Sequence, residues 1–146
     1  MTNALNAPQE ALASWQIVWR KGFAPQLSTV GLQALRRALG EDDVGLIQGA
    51  TTSPPPLHCC QDLLIEAACG IAYAGWKGEQ LNTVGEAEEF FSRACYQADQ
   101  LLGEPAGVRW FLNWFDETPR AQMRALLIAE IDHELARRGA DRSGAA

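Results

Sequence analysis

The sequence predicts an all-α fold, a single compact domain of five or six helices around a buried central helix at about Leu57 to Trp76. Three observations carry that expectation. Apolar residues recur at steps of three and four through most of the chain, the period of a helix with one buried face. Capping residues, prolines and glycines mark helix ends between these stretches. Hydrophobic residues make up 47% of the 146, enough for one core with no second domain needed. Residues 1 to 139 are read as this domain and 140 to 146, ADRSGAA, as a flexible tail.

The first helix is expected to start with an N-cap and glutamine pair, Asn6 and Gln9, with Pro8 in its first turn. Leu12, Trp15 and Trp19 form its stripe, and Arg20, Lys21 and Gly22 close it. A second helix spans about Ser28 to Leu39, with Leu32, Leu35 and Leu39 inward and Gly40 as its stop, and Glu41 to Gln48 adds a short helical turn. GATTSPPP, residues 49 to 56, is the clearest break. Proline pushes the residue before it out of the helical region, so Ser53 to Pro55 should be extended and Pro56 should open the central helix. The proline run is read as a connector, with a ligand for a proline-recognising domain as the alternative.

The central helix ends at Gly75 to Gly78, and Thr83 with Glu86 then forms a capping box. It opens an amphipathic helix with Val84, Ala87, Phe91, Ala94, Ala98 and Leu101 on one face, stopped by Gly103. The segment Ala106 to Asp116 places its aromatic residues on a broad arc and Arg109, Asn113 and Asp116 on a narrow one. Thr118 and Pro119 start the last helix, in which Met123, Leu127, Ile131 and Leu135 step by four and Arg137, Arg138 and Gly139 mark the end. No segment reads as a strand.

The net charge of -6 is uneven: residues 41 to 104 hold eleven acidic and two basic side chains. No concentrated basic face is evident, so nucleic acid is not expected as a partner. The apolar run from Leu57 has the length of a membrane span, but Asp62 and Glu66 within it would be costly in hydrocarbon, so no membrane is expected either. The N-terminus lacks the basic and apolar regions of a secretory signal, which points to the cytoplasm. Cys59, Cys60, Cys69 and Cys95 show no zinc spacing and are expected to be reduced and mostly buried, with Cys59 and Cys60 diverging on a helix.

Three constellations bear on chemistry. His58, Asp62, Glu66, Cys69 and Tyr73 follow helical spacing and would form one polar stripe, a ligand site completed by Arg109 from another helix. His58 and Cys69 lie eleven residues apart, roughly 16 Å along a helix, too far for a catalytic pair within it. Glu130 and His133 form a Glu-x-x-His step that could contribute to a metal site. Arg109 is also expected to form a buried ion pair with Asp62 or Glu66. No phosphate-binding loop, dinucleotide fingerprint or hydrolase motif occurs, and no cofactor is expected. The sequence is therefore read as a non-catalytic protein-interaction module with a protein partner or a second copy of itself. The alternative is a small-molecule or metal-binding protein, an enzyme included, built on the polar stripe.

Overall fold

The structure, a computed structural model, describes residues 11 to 145, and side chains from 11 to 140. The chain is all-α, as the periodicity predicts, with one two-residue strand pair that no segment of the sequence signals. Its elements are α1 (Ser14–Val18), which continues as a π turn (Trp19–Phe23) and a 3-10 turn (Ala24–Gln26), then α2 (Thr29–Glu41), β1 (Thr52–Ser53), a second 3-10 turn (His58–Cys60) and β2 (Ala67–Ala68). There follow α3 (Gly70–Gly78), α4 (Val84–Leu102), α5 (Arg109–Glu117) and α6 (Arg120–Ala145). The expected cap at Asn6 and Gln9 lies outside the described residues.

The core joins the inward faces of these helices. Trp19, Phe23, Leu32, Leu35, Leu39, Ile71, Phe111, Met123, Leu127 and Ile131 are all buried. Phe111 sits among rings at 5.4 Å from both Trp19 and Phe23, while Trp15 stacks on Trp114 at 3.6 Å with the planes 2° apart. Helices α2 and α3 approach closely because Gly31 and Gly78 lack side chains: a Cβ at Gly31 would stand 2.5 Å from the Ala74 carbonyl oxygen, and one at Gly78 2.8 Å from Gly31 Cα.

Several helix ends follow the capping logic. Ser28 Oγ accepts from the Gly31 amide at 2.9 Å. Thr83 and Glu86 form the expected capping box, and Gly103 ends α4 in the left-handed conformation at φ 71°. Other glycines do not stop helices. The first helical stretch passes through Gly22, where a Cβ would meet Ala98 Cβ at 3.0 Å, so a glycine there serves packing against α4. Helix α2 passes Gly40 and ends at Asp42, itself left-handed at φ 54°. Helix α6 runs through Gly139 to Ala145 and so covers most of the expected tail. An interior glycine costs a helix only about 1 kcal/mol, which packing elsewhere along it overcomes.

The largest departure is in the centre. Leu57 to Trp76 is not one helix: α3 begins only at Gly70, after a 3-10 turn, irregular backbone and the two-residue strand β2. Ser53 and Ala67 pair antiparallel, as do Thr52 and Ala68. The Ile65 amide donates to Asn82 at 3.0 Å, the Val84 amide to Leu63 at 2.9 Å and the Gly85 amide to Gln61 at 2.9 Å. Backbone groups that an isolated helix would satisfy internally are thus satisfied by neighbouring chain, a tertiary choice that local periodicity does not reveal. Residues after Glu41 add no helical turn, and Val44 is 90% exposed.

The last helix is fastened by arginines to the 3-10 turn around Ala24 and to the end of α2 and the loop beyond it. Arg138 donates from Nη2 to the Ala24 and Leu27 carbonyls at 2.9 and 2.8 Å, and from Nε to Glu134 at 2.7 Å. Arg124 donates to the Leu39 carbonyl at 2.6 Å at the end of α2. Arg120 binds Asp42 at 2.6 Å and the Leu46 carbonyl at 2.8 Å. These guanidiniums take up carbonyls left open at helix ends and turns.

Candidate functional site

A cavity of about 330 Å³ lies where α3, α4, α5 and the 49 to 51 loop meet. Its lining includes Phe91, Phe111, Leu112 and Phe115, with Cys69, Asn113 and Asp116 as polar groups. Cys69 reaches it because it follows β2 and caps the start of α3: its amide donates to Thr51 at 2.9 Å while its carbonyl accepts from the Tyr73 amide at 2.7 Å. Gly70 allows α5 to close over that corner, since a Cβ there would lie 3.1 Å from Phe115 Cε1. The loop is fastened to α5 by the Gly49 amide, which donates to Asp116 Oδ1 at 2.9 Å, and by Gln48, whose Nε2 donates to the Phe115 carbonyl at 2.7 Å and the Thr118 carbonyl at 2.8 Å.

Burial pushes the Cys69 thiol up to about 11, and nearby Asp116 acts in the same direction against the first amides of α3. The side chain is therefore a neutral thiol at neutral pH, a poor nucleophile. Cys95 is raised further, to about 12, chiefly by burial. What the cavity offers is apolar surface with a carboxylate and an amide at the rim, where Asn113 and Asp116 are exposed. Such a lining can hold a small, mostly apolar molecule bearing one or two hydrogen-bonding groups.

The expected polar stripe does not assemble, because its residues do not share a helix. His58 is exposed on the 3-10 turn, while Asp62 and Glu66 are exposed on the irregular segment after it. Of the stripe only Cys69 lines the cavity. Tyr73 belongs to a different hollow, with Arg37, Asp43 and Lys77, where its hydroxyl donates to Asp43 Oδ2 at 2.9 Å. Burial, then the Asp43 carboxylate, pushes that phenol up to about 12.

Arg109 is likewise displaced from its expected role. It is the first residue of α5 and exposed, donating from Nη1 to the Ala106 carbonyl at 2.7 Å, with its guanidinium 4.7 Å from the Trp110 ring centre. The buried ion pair with Asp62 or Glu66 is not formed, since all three side chains reach the surface. Apolar neighbours do not imply burial of these charges: Arg109 is exposed on α5, a helix whose Phe111 and Phe115 are buried, and Asp62 and Glu66 are exposed on an irregular segment.

Glu130 and His133 are adjacent turns of α6 with separate environments. Glu130 is 4% exposed and its oxygens are taken: Arg20 Nε donates to Oε1 at 2.7 Å, Arg20 Nη2 to Oε2 at 3.1 Å and Gln16 Nε2 to Oε2 at 3.0 Å. His133 is exposed, one turn further along. Among the described residues, no group of three or more His, Cys, Asp or Glu side chains could hold a metal ion. Cys59 and Cys60, expected to diverge, instead have sulfurs 3.8 Å apart, because the turn carrying them is not α-helical.

The sequence places Asn113 and Asp116 on one narrow arc of α5 but does not connect them to Cys69. The signal was present in their spacing, but the 49 to 51 loop that completes the cavity carries no motif. No family model matches the chain, and neither curated proteins nor solved structures yield a match.

Proposed function

We propose that this chain is a non-catalytic interaction module that docks a protein partner on the segment Leu57 to Leu64. The observation that supports this reading is an inversion of the usual burial: Leu57, Leu63 and Leu64 are 57%, 48% and 68% exposed on a stretch of eight residues. Single exposed leucines are ordinary, but a group on one tethered segment marks a contact surface. The segment is held from beneath by the hydrogen bonds to Asn82, Val84 and Gly85, so it presents these side chains without ordering cost. Asp62 and Glu66 flank the leucines in the acidic part of the chain. That charge favours a partner with apolar residues rimmed by basic ones over nucleic acid, and disfavours a symmetric dimer that would face these carboxylates with their own copies.

In this reading the protein works in the cytoplasm with its thiols reduced. Among the described residues, no helix is long and apolar enough to cross a membrane. The test compares the chain with a Leu63→Asp, Leu64→Asp variant as bait in extracts of the source cells, alongside solution mass over a range of concentrations. A partner retained by the parent and lost by a folded variant supports the reading. Identical captured sets from both proteins would overturn it, and a concentration-dependent mass abolished by the variant would replace the partner with a second copy.

The cavity beside Cys69 favours a second reading, a binding site for a small apolar molecule. Leu112→Trp should fill it. A ligand whose binding raises the melting temperature of the parent and not of that variant would bring this reading forward.

A further inference from the structure

On the same Leu57 to Leu64 segment, but from a different observation, we propose that Cys59 and Cys60 form a vicinal dithiol site that chelates a trivalent arsenical. The sulfurs stand 3.8 Å apart on an exposed 3-10 turn. That turn is held on both sides by backbone bonds: the Cys60 amide donates to Leu57 at 2.9 Å and the Leu63 amide to Cys60 at 3.0 Å. Gln61 Nε2 adds a donation to the Leu57 carbonyl at 3.1 Å. Two reducing side chains are thus presented side by side at the surface.

The geometry discriminates among possible occupants. Structural zinc takes four donors, and no group of three or more suitable side chains gathers among the described residues. A direct disulfide is disfavoured because the Cα atoms of adjacent residues lie only about 3.8 Å apart across a trans peptide. Ordinary disulfides need about 4.4 to 6.8 Å. A bridging atom enlarges the ring and relieves that constraint. Two-coordinate soft ions prefer sulfurs on opposite sides, whereas trivalent arsenic is pyramidal and takes two sulfurs on one side with a carbon or oxygen as its third substituent.

The reaction is a substitution with no change of oxidation state. In a hydrated aryl arsenous acid, two As–O bonds break and two As–S bonds form. Each thiol proton leaves with a hydroxide as water, so two waters are released for each arsenic bound. Desolvation and the neighbouring Cys59 thiol hold Cys60 above the usual thiol range. Cys60 therefore brings its thiol proton to the substitution.

The probe is phenylarsine oxide, added in equimolar amount to the full chain and followed by intact mass and by free-thiol count. The expected result is one phenylarsenic group per chain with two thiols consumed, resistant to excess monothiol and removed by a small dithiol. Cys59→Ser and Cys60→Ser should each weaken binding roughly 100-fold, the advantage that a second tethered donor provides. A Cys95→Ser variant should bind as the parent does. Both surface variants replace sulfur by oxygen at exposed or half-exposed positions, and their helical circular dichroism reports folding. The proposal is overturned if no adduct forms, if monothiol removes it, if either Cys59→Ser or Cys60→Ser retains it, or if the mass shows two chains joined through arsenic.

Discussion

Helix α6 and the Leu57 to Leu64 segment invert the normal partition of side chains in opposite directions. On α6, Glu130 and Glu134 are buried at 4% and 5% exposure, while on the segment Leu57, Leu63 and Leu64 lie at the surface. The buried carboxylates are satisfied: Glu130 by Arg20 and Gln16, Glu134 by Arg138 and Arg137 at 2.7 Å each. The exposed leucines have no comparable compensation, since apolar surface left in water gains nothing from hydrogen bonds made beneath it. An inversion with partners inside the chain reads as architecture, and one without them points outside it.

This contrast has a largest expected effect at the core that α6 closes. Leu127 is fully buried, so Leu127→Ala should cost about 2 to 5 kcal/mol, through lost transfer energy and the cavity left behind. Glu130→Ala comes next. It strips the acceptor from Arg20 and Gln16, and hydrogen bonds to charged groups are worth about 1.5 to 3 kcal/mol. The cost stays below that of a fully enclosed pair because the Arg20 side chain is 32% exposed. Arg20→Met with Glu130→Leu should recover much of the loss by removing both charges together. Urea denaturation measures all three; a Glu130→Ala variant with an unchanged midpoint would show that the buried Glu130 pairing carries no energetic weight.

Acid titration separates the two regions further. Burial alone would raise the Glu134 carboxyl, but the hydrogen bonds from Arg137 and Arg138 outweigh it and hold the group below the usual carboxylate range. Because the folded value is depressed, the stabilisation is complete above the unfolded value, near pH 4.3, and is lost as pH falls through the folded one. The parent should therefore lose more stability than Glu134→Gln between pH 5 and pH 3. Equal losses in both proteins would mean that Glu134 titrates as an ordinary surface carboxylate.

The same contrast explains what could be read from the sequence. Helices α2, α4 and α6 were legible because each buries a regular stripe: Leu32, Leu35 and Leu39, or Met123, Leu127 and Ile131, mark their faces at helical spacing. The Thr83 and Glu86 box is a local device and was legible for that reason. Leu57 to Ala68 misleads because its apolar content predicts burial throughout, whereas Ile65, Ala67 and Ala68 are buried and Leu57, Leu63 and Leu64 are exposed. Period cannot distinguish a buried helix from an exposed segment paired to β1 and the start of α4, and the error carried the polar stripe and the Arg109 ion pair with it. The cavity was hidden for a related reason: Cys69, Asn113 and Asp116 are brought together by the 49 to 51 loop, whose hydrogen bonds to α5 span 67 residues. Gly40 and Gly139 show the converse limit, since a stop signal yields wherever the helix it interrupts is held by Arg124 or Arg138.

The smallest expected effect is the most discriminating. Leu64→Ala should change stability by no more than about 0.5 kcal/mol, because a side chain 68% exposed recovers little water-excluded surface on folding. The same substitution at Leu127 removes a fully buried side chain, so the pair calibrates the two regions with one chemistry. If the residue is a contact for another molecule, Leu64→Ala should leave the urea midpoint in place and weaken association, whereas a residue that helps hold the segment in its fold should shift both. A loss at Leu64 approaching that at Leu127 would mean that the leucine is covered in solution by more of this chain. The inversion at Leu57 to Leu64 would then be internal after all, and the segment would belong with α6 as architecture.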